Sequence, residues 1–404
     1  MLLYWIWFAE LSNIQLWQKH ILLQYFSDPE ELYHARREAF LEIPDMTESI
    51  LKALEEKDLT GAKRILRACN EKNIHLIAMQ DESYPKGLKN TKDAPLVLYV
   101  KGTLPDLDNT PAIAIVGTRK ATPYGMTVSR RIAAQISACG GIVLSGGATG
   151  NDTMALAGAM TTTTPVIAVL AGGLDVVYPK SNTALFAQIE KQGCLISQYP
   201  PGTPHYRWNF PVRNRVLSGL SDGVLVVEAP ESSGALITAH SALEQGRDVF
   251  AVPGNIDVPS CAGSNALLQD RAHAALSGWD IMKEYASLYP DKVRKAPAPQ
   301  AVIQEPELLQ VATDIAIPKK KTTASKKIPV DKEEKSSYSC IEPDLSALSE
   351  QEKAVFLCLK KDPHPVDEII VQTGIPSQKV LSILTMLSIR GLAVNHPGGF
   401  VSRK

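Results

Sequence analysis

The chain has 404 residues, of which 45% are hydrophobic and 21% charged, with a formal net charge of −1. At roughly 150 residues per domain this length calls for more than one core, and the composition excludes a collagenous, disulfide-stapled or wholly disordered chain. A balance this close to neutral leaves any nucleic-acid surface to a local concentration of Lys and Arg.

Met1 to Phe8 is strongly apolar, but it lacks a basic leader and a small-residue cleavage site, and Glu10 interrupts it. It reads as a buried helix rather than a signal peptide. No other run is apolar enough or long enough to span a bilayer. Across 1–75 apolar residues such as Leu16, Ile21, Leu22, Tyr25 and Phe26 recur at helical spacing, with breaks at Asp28-Pro29 and Pro44-Asp45, which predicts a small all-helical domain. A connector, 76–110, follows. It is rich in turn residues and ends in a strand-like run, Leu96 to Val100.

From residue 111 to 288 short apolar runs alternate with amphipathic segments, the signature of βαβ units around a mainly parallel sheet. The runs are Ile113–Val116, Ile142–Leu144, Val166–Leu170, Leu195–Ser197, Val224–Val227 and Val249–Val252. Met126, Val128, Ile132 and Ile136 mark one intervening helix, and Leu236, Ile237, Ala239 and Leu243 another. The predicted fold is α/β, a Rossmann-like doubly wound sheet. Residues 289–345, with Ala-Pro repeats and a basic run from Lys319 to Lys327, read as a flexible linker. In 346–404, Ser349-Glu350-Gln351-Glu352 is a capping box that opens a first helix. Two further helices and a hairpin around Pro397-Gly398-Gly399 complete a winged helix.

Ligands of an open α/β sheet bind outside the carboxyl ends of the strands. The first such loop, Gly117-Thr118-Arg119-Lys120, sets two cations beside a helix N-terminus, a phosphate site in outline. The second, Ser145-Gly146-Gly147-Ala148-Thr149-Gly150-Asn151-Asp152, offers glycines for close approach to the backbone, with Asn151 or Asp152 able to cap the next helix. The third runs through Gly172-Gly173 to Lys180-Ser181-Asn182, and further on Arg213-Asn214-Arg215 puts two guanidiniums around an amide, as bidentate phosphate contacts require. Each loop alone could be nothing more than tight packing; four of them following strands on one face point to a shared anionic ligand.

Neither GxGxxG nor GxxxxGK[ST] is present, so no nucleotide cofactor is expected. The six cysteines are scattered without a Cys-x-x-Cys pair, which predicts reduced thiols in a cytoplasmic protein without a metal site. Tyr206 and Trp208 read as core or interface residues ahead of stacking platforms, Ser233 as an N-cap, and Glu228 as either a turn cap or a ribose ligand. No convincing set of nucleophile, base and metal assembles; Asp152 or Glu228 as a general base on a nucleotide is the strongest enzymatic candidate.

The ordered series Val116-Gly117-Thr118-Arg119, Ser145-Gly146-Gly147-Ala148, Ala168 to Asp175, Phe210 to Leu220 and Val226 to Gly254 resembles the DNA processing protein A (DprA/Smf) family over about 190 residues. The resemblance implies a non-enzymatic, cytoplasmic, dimeric protein. It implies single-stranded DNA binding and protection, and loading of the RecA recombinase during natural transformation. It also implies that the helical region is SAM-like and that the DNA pocket uses Arg119 and Lys180, with Arg213 and Arg215 on the family's RNR motif; together with the loops read above, the expected DNA-binding set is Gly117, Arg119, Lys120, Ser145, Gly146, Gly147, Lys180, Asn182, Arg213, Asn214 and Arg215. Where the family has an Arg and an apolar residue, this chain carries Thr149 and Asn151. Ile256, Val258, Leu267, Leu268 and Leu276 are apolar candidates for a dimer surface, and core packing accounts for them equally well. Two rival readings are a nucleotide N-glycosidase on a similar fold and a duplex-binding regulator that uses Ser377, Gln378, Lys379, Ser382 and Arg390 of the winged helix.

Overall fold

The computed structural model describes residues 1–296, 349–359, 364–389, 392–396 and 400–403, so most of the stretch read as a linker lies outside the described residues. The chain divides into two compact units. The first opens with five helices, α1 (Leu2–Glu10), α2 (Leu16–Tyr25), α3 (Pro29–His34), α4 (Glu48–Glu55) and α5 (Thr60–Glu71). Trp5, Ile6, Trp7 and Phe8 of α1 are buried, as the apolar start predicts. Asp28 caps α3, its carboxylate accepting from Glu30 N and Glu31 N with Pro29 in the first turn. That is why the Asp-Pro break starts a helix.

Nine strands form one sheet in the order β1-β2-β6-β5-β4-β3-β7-β8-β9. They are β1 (His75–Ala78), β2 (Val97–Gly102), β3 (Ala112–Val116), β4 (Ile142–Ser145), β5 (Val166–Val169), β6 (Cys194–Ser197), β7 (Gly223–Val226), β8 (Asp248–Ala251) and β9 (His273–Ala274). Every pairing from β6 through β9 is parallel, so the six apolar runs are the six long central strands. The segment read as a connector instead extends the sheet: β1 and β2 pair antiparallel, and β2 adds antiparallel to β6.

Along β3 the side chains alternate between two cores, Ile113 and Ile115 on one face, Ala112, Ala114 and Val116 on the other. A strand covered on both faces needs apolar residues at every position, hence the unbroken run. The first face is covered by α7 (Pro123–Ala138), α8 (Asn151–Ala159) and α9 (Thr183–Gln192), and is continuous with the core of the N-terminal helices. α6 (Lys86–Lys89), α10 (Asn209–Gly219), α11 (Gly234–Glu244) and α12 (Ala262–Asp270) cover the second. In α11 the stripe differs from expectation. Small residues, Ala235, Thr238, Ala239 and Ala242, face the sheet and bring the helix close, while Ile237 is 42% exposed.

The second unit holds helices Glu350–Cys358, Val366–Thr373 and Ser377–Ile389, with strands Ala393–His396 and Phe400–Arg403 paired antiparallel. A short strand, His364–Pro365, joins them. Ser349 and Glu352 form the reciprocal capping box, and Phe356, Ile369, Val380, Leu384 and Val401 fill its core. Of the polar residues proposed for its recognition helix, Ser377, Lys379 and Ser382 are exposed; the Gln378 side chain and Arg390 lie outside the described residues. Among the described residues no helix is long and apolar enough to cross a membrane.

Candidate nucleic-acid interface

β3 is the strand at which the sheet reverses its winding, with β4 on one side and β7 on the other. A crevice opens at such a reversal. Here it is a cleft of about 350 Å³, walled by the loop after β3, the loop after β7, the start of α10 and the first turns of α11. The loop after β3 passes so close to α8 that a Cβ on Gly117 would overlap the Asn151 side chain. Only glycine fits there. α11 is capped by Ser233, whose hydroxyl accepts from Ala235 N, so the positive end of its dipole opens on the cleft.

The floor is set by Arg213 on α10. It is 4% exposed. Its Nη1 donates to Gly146 O and Val169 O, bridging the ends of β4 and β5, and its Nε donates to Asn214 Oδ1. Nη2 has no hydrogen bond among the described residues and lies beside Gly146, where a Cβ would stand 2.8 Å from it. Burial lowers the guanidinium to about 10, with the Asp152 carboxylate opposing that shift, so Arg213 keeps its charge at neutral pH. Asp152 is buried beside it. Desolvation lifts its carboxyl to about 6, against the pull of Arg213 and the N–H groups of Ala148 and Gly117.

At the mouth Arg119 and Lys120 are exposed. The Arg119 guanidinium carbon lies 4.7 Å from the centre of the Phe210 ring and that of Arg213 5.7 Å from it, so one ring stands within cation–π range of both. An open cleft with a buried cation on its floor, exposed cations at its rim and a helix N-terminus in its wall is built for an anion.

A family model described as DNA recombination-mediator protein A matches residues 75–286, and a DprA winged helix domain model matches 342–399. The chain belongs to the DNA processing protein A family. It is similar to the DNA processing protein DprA of Bacillus subtilis, 42% identical over 221 residues that make up 55% of this chain and 74% of that one. Protein Smf of Synechocystis is 31% identical over 399 residues, 98% of this chain and 97% of the relative. The X-ray structure of DNA processing protein A from Streptococcus pneumoniae matches with a TM-score of 0.63 at 31% identity, covering 70% of this chain and 98% of that one.

Of the residues singled out by the DprA/Smf pattern, the structure brings Gly117, Arg119, Lys120, Arg213 and Asn214 together in the cleft. Others lie behind its wall. Ser145 Oγ donates to Ile115 O at 2.6 Å, stapling β4 to β3. Asn182 Nδ2 donates to Gly147 O and Thr153 Oγ1, tying the loop after β5 to that after β4. Gly147 adopts φ +67°, and a Cβ there would meet Phe186 at 2.8 Å. Gly146 makes room for Asp152 and Arg213. Lys180 stands exposed on the loop after β5, outside the cleft lining. Arg215 is placed elsewhere altogether: it pairs with Asp93 and, at 2.9 Å, with Glu244.

One expectation about a helix start resolves differently, and two alternatives left open by the sequence close. Gly150, at φ +81°, is the N-cap of α8, not Asn151 or Asp152. Buried Asn151 instead contacts Ser129 Oγ at 2.9 Å. Glu228 accepts from Thr122 N and Thr122 Oγ1 at the start of α7, so its carboxylate caps a turn and does not face a ligand. Tyr206 and Trp208 are not core residues: they are 43% and 69% exposed. The residues sequence reasoning passed over are Phe210, between the two guanidiniums, and the β7–α11 wall. Both follow from the winding reversal, which is visible only once strand order is known.

Proposed function

We propose that this protein binds single-stranded DNA through the cleft at the winding reversal, with phosphates held by Arg119, Lys120 and Arg213 Nη2, assisted by Lys180 on the neighbouring loop. The observation that carries this is the arrangement of Arg119 and Arg213 about Phe210, which sets two cations at successive depths of one cleft. A flexible strand threads such a cleft one nucleotide at a time, whereas a rigid duplex presents its phosphates on a convex surface. The reading extends to protection of the strand and its delivery to the RecA recombinase, by a homodimer, without a catalytic step. The family description as a recombination mediator supports the delivery. Exposed Ile256 and Leu276 support a self-association surface, while Leu267 belongs to the core.

Labelled oligo-dT, titrated over salt and against a duplex of equal length, tests the reading. Tight binding that prefers the single strand, with a log-log salt slope of about −3 for four neutralised phosphates, is expected. Its loss in Arg119→Ala/Lys180→Ala locates the strand in the cleft; a flat salt response refutes the phosphate model. Truncation of residues 346–404 leaves this binding largely unchanged on our reading, and its loss would transfer the site to the winged helix.

One observation favours a second reading. Asp152 lines the cleft with its carboxyl raised to about 6, within the working range of a general base on a nucleotide. Release of free base from nucleoside monophosphates, abolished by Asp152→Asn, would establish an N-glycosidase. Because the carboxylate is engaged by the Ala148 and Gly117 N–H groups, we assign it to shaping the loops.

A further inference from the structure

Tyr206 and Trp208 stack on each other with ring centroids 4.7 Å apart and planes 9° from parallel, yet both are largely exposed. Large aromatic rings left in water without a covering partner mark a contact surface. The pair is also held in place. Asn209 donates to Ala171 O and Pro204 O, Asn209 N bonds Tyr206 O, and Gly173 N bonds Thr203 O, so the segment that presents the rings is pinned to the carboxyl end of β5. Inward of it, His205 packs on Tyr178 and Phe210.

We propose that the Tyr206–Trp208 pair is a preformed stacking platform for the unpaired bases of the strand whose phosphates occupy the cleft; this rests on the single-strand reading above. Two features select a nucleobase as the occupant. The segment that carries the platform meets the cleft at Phe210, which lines the cleft and packs against His205 of that segment. Exposed Arg207 stands between the two aromatic residues in sequence, adding a phosphate-seeking charge where a purely apolar protein contact would have none. Parallel rings already at stacking geometry extend the stack by one base at small ordering cost, and any base serves because every base has a π-face.

The experiment compares oligo-dT with an abasic strand of the same length and phosphate count, on the full chain and on Trp208→Ala and Trp208→Phe. The intact protein binds oligo-dT more tightly than the abasic strand. Trp208→Ala weakens oligo-dT binding about tenfold and abasic binding little, while Trp208→Phe keeps most of the affinity. Equal losses on both strands would make the pair a support of the fold, and an unchanged oligo-dT affinity would assign it to a protein partner or a second copy; either overturns the platform. If the intact protein binds neither strand, the single-strand reading itself fails, a result distinct from both.

Discussion

The guanidinium of Arg119 rests on the face of Phe210, 4.7 Å from the ring centre. Among the described residues it has no salt-bridge partner, so its charge is oriented by a ring and left unneutralised for a ligand. Arg119→Ala should lower oligo-dT affinity about tenfold and flatten the salt slope by about 0.7. Arg119→Lys should keep the slope and recover only part of the affinity, since an ammonium does not reproduce the planar contact. Anisotropy titrations at several salt concentrations read both.

Arg213 has a different failure mode. Removing it leaves Gly146 O and Val169 O without their buried donor and the Asp152 carboxylate without its nearby cation. Arg213→Ala should therefore destabilise the first unit by about 3 kcal/mol or more, seen as a lowered denaturation midpoint before any DNA is added. A variant as stable as the parent would remove the structural role assigned to this side chain.

Asp152 links stability to pH. Its carboxyl titrates near 3.8 when unfolded and at about 6 when folded. Between those values the folded chain holds the extra proton, so the stability this group contributes is complete below 3.8 and is lost as pH rises through about 6. The difference amounts to about 2–3 kcal/mol. Subtracting the denaturation profile of Asp152→Asn from that of the parent should leave this step, and oligo-dT should bind the parent more tightly on the acid side of it.

Arg215 serves as the contrasting position. Because it faces Asp93 and Glu244 and is one-third exposed, Arg215→Ala should leave oligo-dT affinity and salt slope untouched and cost under about 1 kcal/mol in stability. A loss of DNA binding equal to that of Arg119→Ala would mean that the strand reaches the far side of α10.

The two arginines show where the sequence was readable and where it was not. Residues two apart on a helix do not share a face, so once Arg213-Asn214-Arg215 is assigned to α10 the two guanidiniums must diverge; read as a loop motif, they looked equivalent. The six central strands were legible because double-sided burial writes an unbroken apolar run. β1 and β9 were not: His75–Ala78 is short and half-exposed, and His273–Ala274 is two exposed residues. Ser145 and Asn182 carry the polar chemistry expected of ligands, but their hydrogen bonds are consumed in joining strands and loops, a use that depends on distances no spacing reveals. Tyr206 and Trp208 read by their type as core or interface residues, and only their exposure in the fold places them outside the core.

Because Arg213 reaches from α10 to the ends of both β4 and β5, the charge at the cleft floor exists only in a chain whose sheet has already closed. Occupancy of the cleft and closure of the sheet are then thermodynamically linked, and a strand bound there must raise the unfolding temperature of the first unit by an amount that grows with the logarithm of its concentration relative to its dissociation constant. The same geometry divides the site's capacity for change. On the proposed reading, substitutions at the rim, at Arg119 or Lys120, or at Lys180 on the neighbouring loop can adjust how tightly a strand is held, whereas the floor is fixed by the requirement that the protein fold at all.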